Sequence, residues 1–175
     1  PMLAEMGGAT FTPGTYRASS ESNIAVNGVV TLDGENEVNP VFVFQTTTAL
    51  TTGADTSFNL INGARAENVL WAIGSSATLG ANSVVAATIL AKVSITLGSL
   101  SEVQGCVLSQ AAITTDNKAT VGIVSNGSDV LLDDITGTSN ALTADVTATG
   151  VCDCDCYPQE ATEAISFVDS FLIND

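Results

Sequence analysis

The feature that most constrains this chain is a pattern that recurs about every 18 residues. The stretches that begin at Phe42, Leu70, Ile89 and Val107 can be aligned with one another. Aliphatic and hydroxyl residues alternate within them, as in Ile95-Thr96-Leu97. Alternation with a period of two predicts half-buried β-strands, and a short fixed repeat is typical of stacked units that share one core. The pattern therefore predicts a β-solenoid, in which each coil contributes three short strands.

The alignment also predicts which residues face each other in neighbouring coils. In this alignment, residues 62–68 form an insertion between two coils. Glycines are predicted to lie at the corners, where the backbone must turn. The aligned columns are Leu50, Leu79, Leu97 and Thr115, then Leu70, Leu90 and Leu108, and the corner glycines are Gly74, Gly80, Gly98 and Gly105.

The chain is predicted to have two parts. Residues 1–124 form the solenoid domain, and residues 125–175 form an extension with further strands, a cysteine cluster and a short C-terminal helix. This extension either packs on the solenoid or continues it. The helix is predicted over 160–173, where Ala164, Phe167, Val168, Phe171 and Leu172 recur at helical spacing. The predicted fold class is thus all-β dominated.

Composition excludes several classes of function. The formal net charge is −15, from 19 acidic against 4 basic residues, so no basic patch can attract nucleic acid or an anionic membrane. No apolar run is long enough to predict membrane insertion. The chain has no histidine, which excludes Ser-His-Asp and Cys-His catalysis. We expect neither an enzyme nor a bound cofactor.

The four cysteines are expected to form disulfides, within the chain or between chains. They are Cys106, Cys152, Cys154 and Cys156. The alternate spacing of the last three puts their thiols on one side of an extended strand, whereas zinc sites usually have Cys-x₂₋₄-Cys pairs. Asn126 begins an N-glycosylation sequon. Both features are typical of a secreted, extracellular protein.

Carboxylate pairs offer two other sites, and both are weighed against a solvated surface. Asp133 with Asp134, or Asp153 with Asp155, could supply oxygen ligands to calcium, but no EF-hand or calcium-binding repeat accompanies them. Glycosidase chemistry could use two carboxylates from the set Glu35, Glu37 and Asp55. The solvated surface is favoured, and no metal site is predicted.

Several ordered motifs resemble the microbial ice-binding (antifreeze) protein family. They extend from about Thr10 to Val121 and comprise Phe11–Tyr16, Gly28–Gly34, Val41–Gln45, Leu60–Ala64, Asn68–Trp71, Gly74–Gly80 and Ser94–Leu97. The resemblance implies an irregular right-handed β-solenoid with a long helix along one side. It also implies secretion and, as in many members, adsorption to ice through one flat face.

The chain differs from the family pattern at its beginning. The early coils and the long helix that the family places before the Thr12-Pro13-Gly14 motif are missing from this sequence. The solenoid is therefore expected to be incomplete on its N-terminal side. Either a longer precursor encodes the missing part, or a second copy or another subunit completes the stack.

Two outward arrays are expected to bind ice or another extended surface. One joins Thr47, Ser76, Ser94 and Ala112 to the adjacent column Ala49, Thr78, Thr96 and Thr114. The other follows the corners through Thr52, Asp55, Thr56, Ala81, Ser83, Ser99, Ser101 and Asn117. Strand spacings of about 4.8 Å across a sheet and about 6.7 Å along it lie near oxygen repeats in ice.

Two functions follow from these features. The first is a secreted ice-binding protein that adsorbs to ice through a Thr/Ser-rich solenoid face. The alternative is a structural subunit of an extracellular filament, surface coat or adhesin, in which open strand edges pair with another chain and the cysteines lock neighbours together.

Overall fold

The structure is a computed structural model that describes residues 4–18, 23–122 and 149–151. These residues form stacked coils, and each complete coil contributes one strand to each of three sheets. The arrangement confirms the predicted β-solenoid. Several predictions fall on residues outside the described part: the C-terminal helix, the sequon at Asn126, and the side chains at Cys152, Cys154, Cys156, Asp133, Asp134, Asp153 and Asp155.

In the described residues, seventeen short strands make up the three sheets. The first sheet contains β1 (Thr10–Phe11), β4 (Val29–Asp33), β7 (Ser57–Ile61), β10 (Val84–Val85), β13 (Glu102–Val103) and β16 (Thr120–Val121). The second contains β2 (Gly14–Arg17), β5 (Phe42–Thr46), β8 (Val69–Ile73), β11 (Thr88–Ala91), β14 (Val107–Ser109) and β17 (Thr149–Val151). The third contains β3 (Ile24–Val26), β6 (Leu50–Thr52), β9 (Ala77–Leu79), β12 (Ser94–Leu97) and β15 (Ala112–Thr115).

Neighbouring strands are parallel throughout, apart from β17, which runs antiparallel to β14. The described residues contain one helix, a 3-10 turn at Ala66–Asn68. No helix in these residues is long and apolar enough to cross a membrane.

The core runs along the axis of the solenoid and consists of side chains that point inward from all three sheets. Its most ordered element is an aromatic column on the second sheet. The rings of Tyr16 and Phe44 stack at 5.3 Å, and those of Phe44 and Trp71 stack at 4.6 Å. Ile89 and Val107 continue the same column in the following coils. Identical strand positions thus stack on one another, which lets a thin, aromatic-poor chain bury a continuous interior.

The coils are not equally long, and this corrects the predicted register. Ser76 and Ser94 face each other 18 residues apart, whereas Asn23 and Ala49 are 26 residues apart because the earlier coils carry longer corner loops. Leu79 pairs with Leu97, as predicted, but Leu50 pairs with Ala77. The second column has the same two-residue error: Leu90 faces Leu108, but Leu70 faces Thr88.

Residues 4–9 cover the first strand of the third sheet and then cross to the first sheet. Glu5 forms a parallel bridge to Ala25, and the backbone of Met6 and Ala4 bonds to the same residue. The Glu5 carboxylate accepts hydrogen bonds from the Gly7 and Asn27 amides at 2.8 and 3.0 Å. The Gly7 amide is the main cause that lowers the pKa of this carboxyl, and the Asn27 side chain and amide lower it further.

Candidate functional site

The third sheet presents two columns of small side chains to solvent. Along each strand, the side chains that point to solvent alternate with side chains that point into the core. The first outward column contains Asn23, Ala49, Ser76, Ser94 and Ala112. The second contains Ala25, Thr51, Thr78, Thr96 and Thr114. We call these ten residues the threonine face.

The register of the threonine face is continuous. Ala25 lies opposite Thr51, Thr51 opposite Thr78, Thr78 opposite Thr96, and Thr96 opposite Thr114. Strands in a sheet lie about 4.8 Å apart, and alternate residues on one strand lie about 6.7 Å apart. Four threonines therefore follow one another in an unbroken column, about 4.8 Å apart. The second column lies beside it at a distance of about 6.7 Å.

The face is uncharged, although the protein carries a net charge of −15. Its five strands contain only aliphatic residues, serine and threonine. In the described part of the chain, the hydroxyls of Thr51, Thr78 and Thr96 have no protein hydrogen-bond partner, and all three residues are exposed. These hydroxyls remain available to solvent. Ser76 and Ser94 differ, because their hydroxyls bond to each other at 3.0 Å.

Neither of the other sheets offers an equivalent surface. The outward residues of the first sheet include Asp33 and Glu102, as well as Val29, which is 49% exposed. The second sheet is largely covered on its outer side, since Ala72 and Leu90 there are only 2% and 4% exposed. Among the described residues, the threonine face is the one sheet surface that is both exposed and free of charge.

The corner beside the threonine face, between the third and first sheets, is a second repeated structure. Its third residue adopts a left-handed conformation in four successive coils: Asp55, Asn82, Leu100 and Lys118 have φ values of 57°, 56°, 60° and 57°. Asp and Asn tolerate this region, whereas leucine is strained there. Asn82 also donates a hydrogen bond to Asp55 at 3.3 Å, which ties adjacent corners together.

The fourth corner residue points inward, and this corrects the second predicted array. Thr56, Ser83 and Ser101 are fully or almost fully buried, and Thr52 at the end of β6 is 3% exposed. The Thr56 hydroxyl donates to the backbone oxygens of Val26 and Gly53, and Ser83 donates to Gly80. The hydroxyls of Thr56, Ser83 and Thr52, which accepts a bond from the Gly80 amide, hold the corners together, and none of the four side chains is accessible to a surface. Ala81 and Asn117 are exposed at the corner, with Ser99 partly exposed.

The first predicted array is largely brought together, with one change of register. Ser76, Ser94 and Ala112 share a column, and Thr78, Thr96 and Thr114 share the next, as predicted. Ala49, however, belongs to the serine column, and Thr47 lies at the preceding corner beside Gly74. The residue that joins the threonine column is Thr51, which the alignment missed.

The carboxylates considered for glycosidase chemistry are not brought together. Glu35 and Glu37 lie in the loop that follows β4, whereas Asp55 lies at the corner that follows β6. In that loop, Asp33 accepts hydrogen bonds from the Glu35 amide and from Asn62 at 2.9 and 2.7 Å, and these bonds lower its pKa. No group of three Cys, Asp or Glu residues in the described part of the chain could hold a metal ion.

Comparison with known proteins identifies the family of this fold. The family model described as "Ice-binding-like" matches residues 2–122. The chain belongs to this family. The Ice-binding protein of Nostoc sp. (strain HG1) is 45% identical over 93 residues, which cover 53% of this chain and 34% of that protein. The Ice-binding protein of Flavobacterium frigoris (strain PS1) is 30% identical over 109 residues, which cover 62% and 38% of the two chains.

Solved structures agree with the family assignment. The ice-binding protein of the Antarctic ascomycete Antarctomyces psychrotrophicus gives a TM-score of 0.65 at 39% identity, covering 71% of this chain and 59% of that one. A glycosylated ice-binding protein from an Arctic yeast gives 0.63 at 29% identity, covering 71% and 52%. The chain spans less than half the length of the curated relatives from Nostoc and Flavobacterium, 34% and 38% respectively. These relatives are named as ice-binding proteins and not as enzymes.

Proposed function

We propose that this protein binds ice and that the threonine face is the adsorbing surface. The observation that carries the proposal is the unbroken column Thr51, Thr78, Thr96 and Thr114 on an exposed, uncharged sheet. The relatives in the same family are named ice-binding proteins, which supports the proposal at the level of the family.

The physical basis is a match between two lattices. A parallel sheet repeats side chains at about 4.8 Å between strands and about 6.7 Å along a strand, and both distances lie near oxygen repeats in ice. Each threonine supplies one methyl group and one hydroxyl group. The methyl limits the ways in which neighbouring water can orient, and the hydroxyl can bond to water that occupies a lattice position. A charged side chain would disturb this order, which agrees with the absence of charge in the five strands of this face.

The ends and borders of the face predict that its activity is limited. Ala25 replaces threonine in the first coil, and Ala49 and Ala112 replace serine in the adjacent column. Leu100, which is 55% exposed, projects at the corner beside the central strands. The regular area is therefore two columns wide and four coils long.

The proposal is tested by thermal hysteresis and by inhibition of ice recrystallisation. Thr96→Tyr places a bulky ring in the middle of the threonine column and should abolish most of either activity. Thr31→Tyr is the matched control, because Thr31 points outward from the first sheet between Thr10 and Asn59. Tyrosine is a good strand residue, so both variants should fold like the wild type.

Three results would overturn the proposal. The wild-type protein could lack activity in both assays. Folded Thr96→Tyr could retain full activity, or Thr31→Tyr could lose as much activity as Thr96→Tyr does. Circular dichroism and thermal melting must show that the compared variants have the same fold and stability.

We further propose that the protein acts outside the cell. The family assignment and a cysteine-containing, strongly acidic sequence support this location. Fractionation of the native source, with the protein recovered from the medium or the cell surface, would test it. Recovery only from the cytosol would contradict it.

The filament or coat alternative rests on one feature of the stack. In the described residues, β2 pairs with β5 on one side only, so its other edge can accept a strand from another chain. Sedimentation velocity across a range of concentrations separates the two functions. A monomer at all concentrations, with or without reductant, would exclude assembly.

A further inference from the structure

We propose that Glu5 ends the ice-adsorbing surface on its N-terminal side, because it places a fixed carboxylate at the next position of the threonine column. This inference rests on the proposed function of the threonine face. The starting observation is a parallel bridge between Glu5 and Ala25. The Ala25 amide donates to the Ala4 oxygen at 2.7 Å, and the Met6 amide donates to the Ala25 oxygen at 3.0 Å. Residues 4–6 therefore extend the third sheet by one strand position beyond β3.

The direction of the Glu5 side chain follows from its neighbours. Met6 is fully buried in the core, whereas Glu5 is exposed. Side chains alternate between the two faces along an extended strand, and paired residues of neighbouring parallel strands share a face. Since Ala25 lies opposite Thr51, the outward column of the described residues begins with Glu5, Ala25 and Thr51.

The Glu5 carboxylate is held in place by groups at the ends of two strands. One of its oxygens accepts hydrogen bonds from the Gly7 amide at 2.8 Å and the Asn27 amide at 3.0 Å. The other oxygen accepts a bond from the Asn27 side-chain amide. The Gly7 amide is the largest cause that lowers the pKa of this carboxyl, so the group stays ionised at neutral pH. The negative charge thus occupies a defined position where the third sheet meets its corner.

A fixed charge is unsuited to the surface that the threonines provide. Water molecules around a carboxylate turn their hydrogens toward its oxygens, and this arrangement competes with the order of a lattice. At a strand spacing of about 4.8 Å, Glu5 lies about one spacing from Ala25 and about two spacings from Thr51. Exposed charges are screened over about 8 Å at physiological ionic strength, so the effect covers Ala25 and weakens near Thr51. Thr51 is therefore the first residue of the column that can take part in adsorption.

Ala25 forms the second half of this boundary. It lies between Glu5 and the four threonines, and its methyl group offers no hydroxyl to lattice water. A threonine at this position would lengthen the column from four threonines to five, but its hydroxyl would lie one strand from the charge. A hydroxyl at position 25 and a neutral group at position 5 should therefore act together, with neither sufficient alone.

Three variants test the boundary: Ala25→Thr, Glu5→Gln and the double variant. Thermal hysteresis and inhibition of ice recrystallisation are measured at equal molar concentrations. Glu5→Gln removes the charge but keeps an oxygen that can accept the bonds from the Gly7 and Asn27 amides. The thermal hysteresis of the double variant should exceed that of the wild type by about 1.25-fold, the ratio of five threonines to four. Neither single variant should reach that gain.

Glu102→Gln is the matched control, since it removes the same charge from the first sheet, where Glu102 lies opposite Val84 and Thr120. It should leave activity unchanged, and circular dichroism must show that every variant is folded at the assay temperature. An active wild type whose folded double variant gains nothing would overturn this inference and leave the proposed function intact. The full gain in Ala25→Thr alone, or an equal gain in Glu102→Gln, would also overturn it. An inactive wild type would overturn the proposed function as well.

Discussion

Replacing the buried Thr56 by valine should destabilise the fold by about 1 kcal/mol while leaving ice activity unchanged. The Thr56 hydroxyl lies 2.9 Å from the Val26 oxygen and 3.0 Å from the Gly53 oxygen. It carries a single hydrogen, so the loss amounts to one net hydrogen bond, worth about 1 kcal/mol. The Val26 oxygen still accepts a hydrogen bond from the Gly53 amide at 2.8 Å. The penalty for leaving a buried acceptor unpaired therefore stays near the low end of its usual range. Valine retains the shape of threonine and opens no cavity.

Ser101→Ala is the matched control, because Ser101 occupies the same corner position two coils later. Its hydroxyl is buried and has no hydrogen-bond partner among the described residues. A buried unpaired hydroxyl costs about 1 to 3 kcal/mol, so its removal should stabilise the protein by about 1 kcal/mol, the lower end of that range. The next coil already has alanine at this position, Ala119, which is buried. The two substitutions should therefore change the free energy of unfolding in opposite directions.

Urea unfolding measures both effects through the fluorescence of Trp71, the one tryptophan in the chain, which is fully buried. Melting temperatures should shift by about 2–4 °C per kcal/mol for a protein of this size. The reasoning about the corner hydroxyls is refuted if Ser101→Ala destabilises the protein as much as Thr56→Val. A loss of thermal hysteresis in folded Thr56→Val would refute the inward assignment of this residue.

Two further predictions concern close packing and charge. Gly98→Ala should destabilise the fold by about 1–3 kcal/mol, since the added Cβ would lie 2.7 Å from the Leu79 oxygen. Urea unfolding should show a lower midpoint at an unchanged slope. An unchanged midpoint would contradict such close stacking of the two coils. Glu5 has a lowered pKa in the folded state, so its contribution to stability is present above its unfolded value of 4.5 and is lost as the pH falls through the folded value. The stability difference between wild type and Glu5→Gln should therefore shrink between pH 6 and pH 3 in urea titrations, and a difference that stays constant would contradict the role of this carboxylate.

The sequence was sufficient to predict the solenoid because each coil repeats the same physical requirement. Aliphatic side chains must point inward at alternate positions, and this leaves a period that can be read directly. The last coils follow an 18-residue spacing, and the predicted columns of Thr78, Thr96 and Thr114 are confirmed there. The earlier coils contain longer corner loops, which displace the pattern without changing the strands.

The register error at Leu50 has an identifiable cause. The repeat pattern aligns Leu50 with Leu79 because the two residues are identical, but in the structure Leu50 pairs with Ala77. The corner motifs contained a better signal: Gly53-Ala54-Asp55-Thr56 matches Gly80-Ala81-Asn82-Ser83 position by position. The match between the corners places Thr51 beside Thr78, as the structure does. Backbone geometry fixes a left-handed corner more strictly than packing fixes the choice of an aliphatic residue.

The direction of the corner hydroxyls could not be predicted from residue type. Threonine and serine are usual on exposed strands, so composition favours an outward position for every member of the set. The structure divides them by position: Thr51 points outward in the strand, while Thr52 and Thr56 point inward at its end and at the corner. The buried hydroxyls serve backbone groups that the turn leaves without strand partners.

This division gives the two sets of hydroxyls different physical roles, and each role depends on the other. An ordered array on the threonine face requires strands that hold their spacing, and the spacing is fixed by the corners. At those corners the Thr56 and Ser83 hydroxyls bond to backbone oxygens, and Thr52 accepts a hydrogen bond from the Gly80 amide of the next coil at 2.9 Å. Because Thr52 joins two coils directly, its loss should loosen the spacing between Thr51 and Thr78 before it unfolds the protein. A surface that recognises a lattice would thus depend on hydroxyl groups that never touch that lattice.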